Sequence, residues 1–293
     1  MQRLMIALAP FALLLLFAAC ASFLGYGILQ MTGDILPLSK LVSKVTLILL
    51  LLSIFPLQRI LQLSWRDLGF APARLFFKQL LSGLGLGLAT LLPVLLILVA
   101  LDVQVWDAHR VWTVSKVLQK IGLALFWALL IGLGEEILFR GLLLSVLRRH
   151  LRLSLAIGLC SLYFAALHFL KSKTQIPYAE LTPTSGFYLM AEAFANWLNP
   201  QILNSLVSLF VVGVFLAVLR SRIPASLGWC IGCHAGWVWL IKVSKELFNL
   251  NPNADALFLV SQYDGVVGPL VSVWLGAAIG VWLWWSARSG RAD

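Results

Sequence analysis

Long apolar runs, separated by short clusters of arginine, glycine and proline, dominate this chain. Eight stand out, at roughly residues 4–29, 41–61, 79–101, 117–147, 153–170, 202–219, 224–247 and 267–286. About 20 apolar residues in a helix cross the hydrocarbon slab of a bilayer. None of the runs keeps the continuous polar face that a surface helix of a soluble protein shows. The pattern therefore predicts an all-α, polytopic membrane protein with about eight transmembrane helices. The first run follows Arg3, as a signal peptide would. It is longer than a signal h-region, and no small-residue cleavage site follows Cys20, so it reads as a span.

Two connections are more than turns. Residues 62–78 (QLSWRDLGFAPARLFFK) mix aromatics with Arg and Lys and read as an interfacial segment. Residues 171–201 carry three prolines and an amphipathic stretch from Phe187 to Leu198. A connection that long is usually functional, and it reads as a lid or half-inserted helix near a site. The chain divides into N-terminal membrane helices with the interfacial segment (1–114), a central core (115–250), and a final helix with its tail (251–293).

Composition sharpens this picture. Of the 293 residues 61% are hydrophobic and 12% charged, against about half and a quarter in soluble domains. That excludes an ordinary cytosolic enzyme. The formal charge is +10, which in a soluble chain would raise nucleic acid as a partner. Here the charge is sorted by topology instead. Arg3, Arg59, Arg66, Arg74, Lys78, Arg148, Arg149, Arg152, Arg220, Arg222, Arg288 and Arg291 fall at alternate ends of the spans, with only Asp67 and Asp293 beside them. That face carries the whole excess. The positive-inside rule makes it cytoplasmic, with both termini inside. The bilayer is the partner and nucleic acid is not. Four cysteines without framework spacing predict no disulfide scaffold.

Ionisable side chains within spans are costly unless paired or hydrated, and they mark function. Glu135, Glu136 and Arg140 lie in the fourth run, His168 in the fifth and His234 in the seventh. By helical rise, Glu135 is about 20 Å in from Arg148, His168 about 24 Å in from Arg152 and His234 about 18 Å in from Arg222. Three helices thus bring polar groups to one level. Glu136 and Arg140, at i and i+4, can pair. Glu135 is turned about 100° away and lacks that partner. The set suits water activation by a carboxylate, with His and Arg stabilising a developing oxyanion.

Glu135-Glu136-Ile137-Leu138-Phe139-Arg140 resembles the EExxxR motif of the CAAX-protease and bacteriocin-processing (CPBP, or Abi) family of glutamic intramembrane endopeptidases. Phe164 to His168 is similar to its FxxxH motif, and His234 stands where a third motif, HxxxN or HxxxD, begins. The resemblance covers about residues 115–250. It implies hydrolysis of a peptide bond in a membrane-anchored protein or peptide. Glu135 would be the base on water, with Glu136 and Arg140 orienting it. His168 and His234 would polarise the carbonyl or its oxyanion. No cofactor is implied, although two carboxylates and two histidines could also ligate zinc; no HExxH is present. The compact chain is prokaryote-like in style, which points to a cytoplasmic (inner) membrane. The departure is Val238, where the third motif has Asn or Asp. Trp237 and Lys242, one turn further along, are the substitutes at hand.

Three patterns are decoys. Gly83, Gly85 and Gly87 have no strand before them and read as helix packing rather than a phosphate loop. Cys230-Ile-Gly-Cys233-His234 matches a haem-attachment pattern, but inside a span. Trp282, Trp284 and Trp285 read as an interfacial belt. Two other functions compete with proteolysis. One is a non-catalytic immunity or scaffold protein of the same fold. The other is a proton-coupled transporter, which inverted repeats and broken helices in both halves would favour.

Overall fold

The computed structural model describes residues 2–110, 113–261 and 263–289. Arg291 and Asp293, used in the charge count, lie outside them. The architecture is all-α. Its long helices are α1 (Gln2–Thr32), α2 (Leu38–Ile60), α3 (Ala73–Ala100) and α4 (Val114–Glu136). A π-helical segment, Ile137–Leu143, then leads into α5 (Leu144–His150). There follow α6 (Leu153–Leu167), α7 (Ser185–Ala195), α8 (Leu203–Arg222), α9 (Leu227–Leu247) and α10 (Pro269–Ser289).

All eight apolar runs are helical. Six rods are long and apolar enough to cross a membrane: α1, α2, α3, the α4–α5 rod, α8 with the turn before it, and α10. The other two depart from the expected count. α6 has 15 residues, about 22 Å of rise, short of the ~30 Å slab. α9 has 21 residues but carries His234 in its middle and Lys242, Lys245 and Glu246 near its end.

The core is built around α9. It runs along α3, α4 and α8, and small residues let α3 come close. A Cβ on Gly83 or Gly87 of α3 would strike the backbone of Trp229 or Cys233, and one on Gly232 of α9 would strike the carbonyl of Leu80. Gly85 faces open space. The glycine pattern is thus a packing stripe, as its residues predicted. Cys233 is fully buried in the same contact, and Cys230 is fully buried with its thiol against the Leu216 carbonyl of α8, so neither is accessible for haem attachment.

At the arginine-rich end, the first part of the 62–78 segment is a turn-rich connection, most of it exposed, that buries Leu63 and Leu68 beside Ile54 and Leu142. Arg220 donates to the carbonyl of Asp67 at 3.0 Å, Ser145 donates to the same oxygen at 2.8 Å, and Arg149 donates to the carbonyl of Leu61 at 2.9 Å. At the opposite end sits a feature the sequence did not predict. Two three-residue strands, β1 (Gln104–Trp106) and β2 (Phe248–Leu250), pair antiparallel with Val105 opposite Asn249. Beside them Glu246 bridges Arg110 (2.8 Å) and Lys120 (3.0 Å).

The 171–201 connection is a docked strap. Its helix α7 packs on α1, with Gly186 against Ser22 and Phe187 edge-on to Phe23. Phe194 and Trp197 close over Phe11.

Candidate active site

The site forms where two helices change character beside the middle of a third. α4 gives way to π geometry at Ile137, immediately after its two glutamates. Such segments cluster at functional sites because they re-aim side chains within a helix. α6 stops, and His168 is its C-terminal cap residue. α9 presents His234 from its middle.

Glu136 and Arg140 have no exposed side-chain surface and form an ion pair at 2.9 Å. Arg140 also donates to the carbonyl of Gly213 at 3.1 Å, and its guanidinium sits 4.3 Å from the centre of the Phe164 ring. Those contacts hold Arg140 outside the cavity lining. The direct oxyanion role expected for it has no geometric support. It anchors Glu136, and the same Glu136 oxygen accepts a hydrogen bond from Nδ1 of His234 at 2.8 Å. The chain of contacts is therefore Arg140 to Glu136 to His234.

Glu135 is turned the other way, as its position beside Glu136 requires. Its Oε2 lies 3.9 Å from Nε2 of His168 and 3.9 Å from Nε2 of His234. That oxygen is buried and has no hydrogen-bond partner among the described residues. The tautomers follow from the outer contacts. Nδ1 of His168 lies 2.7 Å from the carbonyl of Phe164. A carbonyl and a carboxylate can only accept, so both histidines carry a proton on Nδ1. In the neutral rings both Nε2 atoms are then acceptors, and they face a carboxylate. Three acceptors thus converge beside the cavity.

These groups open on a cavity of about 450 Å³ lined by Glu135, His168 and His234 together with apolar residues of α3, α8 and α10. Val238 lines it too and brings no donor where the family motif would. Trp237 cannot substitute, since its indole N–H is committed to the hydroxyl of Thr90 at 2.8 Å. Lys242 lines the cavity one helical turn beyond Val238.

Sequence reasoning missed Tyr263. It lines the cavity with its ring 6.3 Å from that of His168, and burial, with Asp264 and Glu135 nearby, pushes its phenol up in pKa. An aromatic residue in a polar loop after α9 carries no signal of that placement. The strap is also not the lid that was expected. No residue between 172 and 208 lines the cavity. Instead Asn196 donates to the carbonyl of Phe169 and Trp197 to that of Ala166, both at 2.9 Å. Glu192 accepts from Ser172 at 2.5 Å and from the Lys173 amide. The strap braces the chain on both sides of His168.

No group of three His, Cys, Asp or Glu among the described residues is arranged as a metal site. No curated protein and no solved structure matches the chain. Residues 117–240 match the family described as type II CAAX prenyl endopeptidase Rce1-like. That stretch holds both glutamates, Arg140 and both histidines. The resemblance read from the EExxxR and FxxxH motifs is borne out, and the core of this integral membrane protein is Rce1-like.

Proposed function

We propose that the chain hydrolyses a peptide bond in a membrane-associated protein or peptide, using water activated by Glu135. The observation that carries this reading is the convergence of Glu135 Oε2 with both Nε2 atoms at 3.9 Å on the wall of a cavity. Water held there loses a proton to Glu135, and its oxygen bonds to the carbonyl carbon. A proton carried on Nε2 of one histidine is donated to the oxyanion. As the tetrahedral centre collapses, that proton returns to Nε2 while the C=O re-forms, the C–N bond breaks and Glu135 gives its own proton to the amine. General base catalysis of this kind is worth about 10²–10⁴ in rate, and an oxyanion donor about 10²–10³. Arg140 and Glu136 are positioning residues that fix the tautomer and aim of His234. No metal is used. The arginine-rich end faces the cytoplasm, in a prokaryotic cytoplasmic membrane.

One observation favours a second reading. Val238 leaves the cavity without a hydrogen-bonding side chain at the third-motif position, as suits a scaffold that binds peptides without cutting. The same experiment decides. Termini of membrane proteins are quantified in the native host with the parent protein and with Glu135→Gln. A terminus lost only in the variant supports the peptidase. An unchanged set of termini, with the variant present at parental level, sinks it and leaves the scaffold.

A further inference from the structure

In the proposed reaction an oxyanion develops in a cavity with largely apolar walls, and a single histidine proton meets it. An oxygen anion accepts more than one hydrogen bond, and a buried charge left short of partners is costly. Few other donors line the cavity. The indole of Trp237 is committed to the Thr90 hydroxyl, that hydroxyl to the carbonyl of Leu86, and the indole of Trp274 to the carbonyl of Thr90, each at 2.8 Å. Val238 offers none. Lys242 and Lys245 lie about 12 Å and about 16 Å along α9 from His234 by helical rise. Lys171 is exposed and rests over the face of the Tyr263 ring at 5.4 Å. That leaves Tyr263, which is half-buried and whose hydroxyl makes no hydrogen bond among the described residues.

The turn that carries Tyr263 is tied down. Its amide donates to the Ser261 hydroxyl at 3.4 Å, and that hydroxyl donates to the carbonyl of Val267. Asp264 accepts from the amides of Val266 (2.9 Å) and Val267 (2.7 Å), both of which are buried. Gly265 takes the left-handed conformation the turn needs, with φ of 77°, and its carbonyl accepts from the Gln104 side chain at 3.2 Å. The ring is thereby held 6.3 Å from that of His168 and 5.3 Å from that of Phe169, centre to centre, both within the range of aromatic contact. Burial, Asp264 and the charge of Glu135 together raise the phenol's pKa, so it keeps its proton around neutral pH and can donate it in a hydrogen bond.

We infer that Tyr263 is a second oxyanion donor, its hydroxyl making from the connection after α9 the hydrogen bond that Val238 cannot make from α9 itself. This deepens the peptidase reading and rests on it. No proton leaves the phenol. The hydrogen bond strengthens as the carbonyl oxygen gains charge and weakens as the C=O re-forms. Val238 is then compatible with catalysis, because the donor stands on another segment of the same cavity wall.

The test uses full-length protein in phosphatidylcholine nanodiscs. The probe is a quenched-fluorescent peptide spanning the junction whose terminus is lost in the Glu135→Gln host. A phosphinate analogue of that junction serves as a stable mimic of the tetrahedral anion. Tyr263→Phe keeps the ring and removes the hydroxyl. It should lower kcat about a hundredfold with KM within about twofold, and weaken phosphinate binding by a similar factor. Binding of the uncut peptide, read in the Glu135→Gln background, should not change. Val238→Asn added to Tyr263→Phe should recover about tenfold in kcat, since it returns a donor one turn from His234. A Tyr263→Phe protein with kcat and phosphinate affinity within about threefold of the parent overturns the assignment and leaves the peptidase reading standing. So does a variant that loses the uncut peptide as heavily as the phosphinate, which is the mark of a packing role. A Lys171→Gln variant that takes the loss while Tyr263→Phe does not gives the donor role to the lysine and overturns it as well. If no terminus is lost in the Glu135→Gln host, the peptidase reading itself has failed and the donor role falls with it.

Discussion

Replacing Arg140 by Met tests how the site is held. The substitution keeps the bulk of a side chain that has no exposed surface. It removes the 2.9 Å pair with Glu136, the 3.1 Å bond to the Gly213 carbonyl and the stacking over Phe164. The Glu136 carboxylate is left buried with His234 as its remaining polar partner. Breaking a buried pair from one side costs about 3–5 kcal/mol, because an uncompensated charge stays behind. At about 2–4 °C per kcal/mol for a chain of this order, the apparent Tm in detergent should fall by roughly 10 °C. Adding Glu136→Gln removes the stranded charge, so the double variant should melt well above the single one. Its activity should not recover in step, since the amide no longer offers His234 Nδ1 a charged acceptor. The assay pairs thermal melting with peptide cleavage for the parent, both singles and the double. A single variant melting within about 2 °C of the parent, or a double variant no better than Arg140→Met, would refute the anchoring argument.

Other outcomes follow from other contacts. Gly232→Ala should destabilise the protein by about 1–3 kcal/mol through overpacking against the Leu80 carbonyl, whereas Gly85→Ala, into open space, should be neutral or slightly stabilising; paired melting curves read the difference. Hydrogen bonds from Ser172 and the backbone beside it hold the Glu192 carboxyl below its usual range. Its contribution to strap docking is therefore complete above the ordinary glutamate pKa and lost as pH falls through the lowered value. Hydrogen exchange at residues 169–174 should accelerate over that acid range, and a Glu192→Gln variant whose exchange kept the same acid dependence would contradict this. Dialysis against a strong chelator should leave cleavage unchanged; activity that is lost and then restored by added zinc would reassign Glu135, His168 and His234 as ligands.

Much of this could be read from the chain because a bilayer simplifies the code. An apolar run of span length becomes a helix whatever its local propensity, so all eight runs appear as helices. Glu135, Glu136, Arg140, His168 and His234 stood out because charge in such runs is expensive, and adjacent helices then brought them together. What escaped lay below the resolution of periodicity. The π segment adds a backbone offset at Ile137–Leu143 that no hydrophobic pattern encodes. The β1–β2 pair is three residues a side, too short for an alternation signal. Tyr263 joins the cavity through tertiary packing alone. The strap looked like a lid because of its length and amphipathic stretch; it is a brace because Phe194, Trp197 and Phe187 find partners on α1.

The shortness of α6 has a consequence for solvent. A hydrolase buried in lipid must be supplied with water, and 30 Å of hydrocarbon is a poor conduit. At 15 residues α6 spans only about 22 Å. Beyond His168 the chain is no longer a lipid-facing helix but the polar run Lys171-Ser172-Lys173-Thr174, tied down by the strap. The barrier above the histidine is thus thinned locally by roughly a quarter, on the side where this polar run leaves the helix. The short helix and its polar continuation give reactant water a shorter path to His168 than a full-length span would leave.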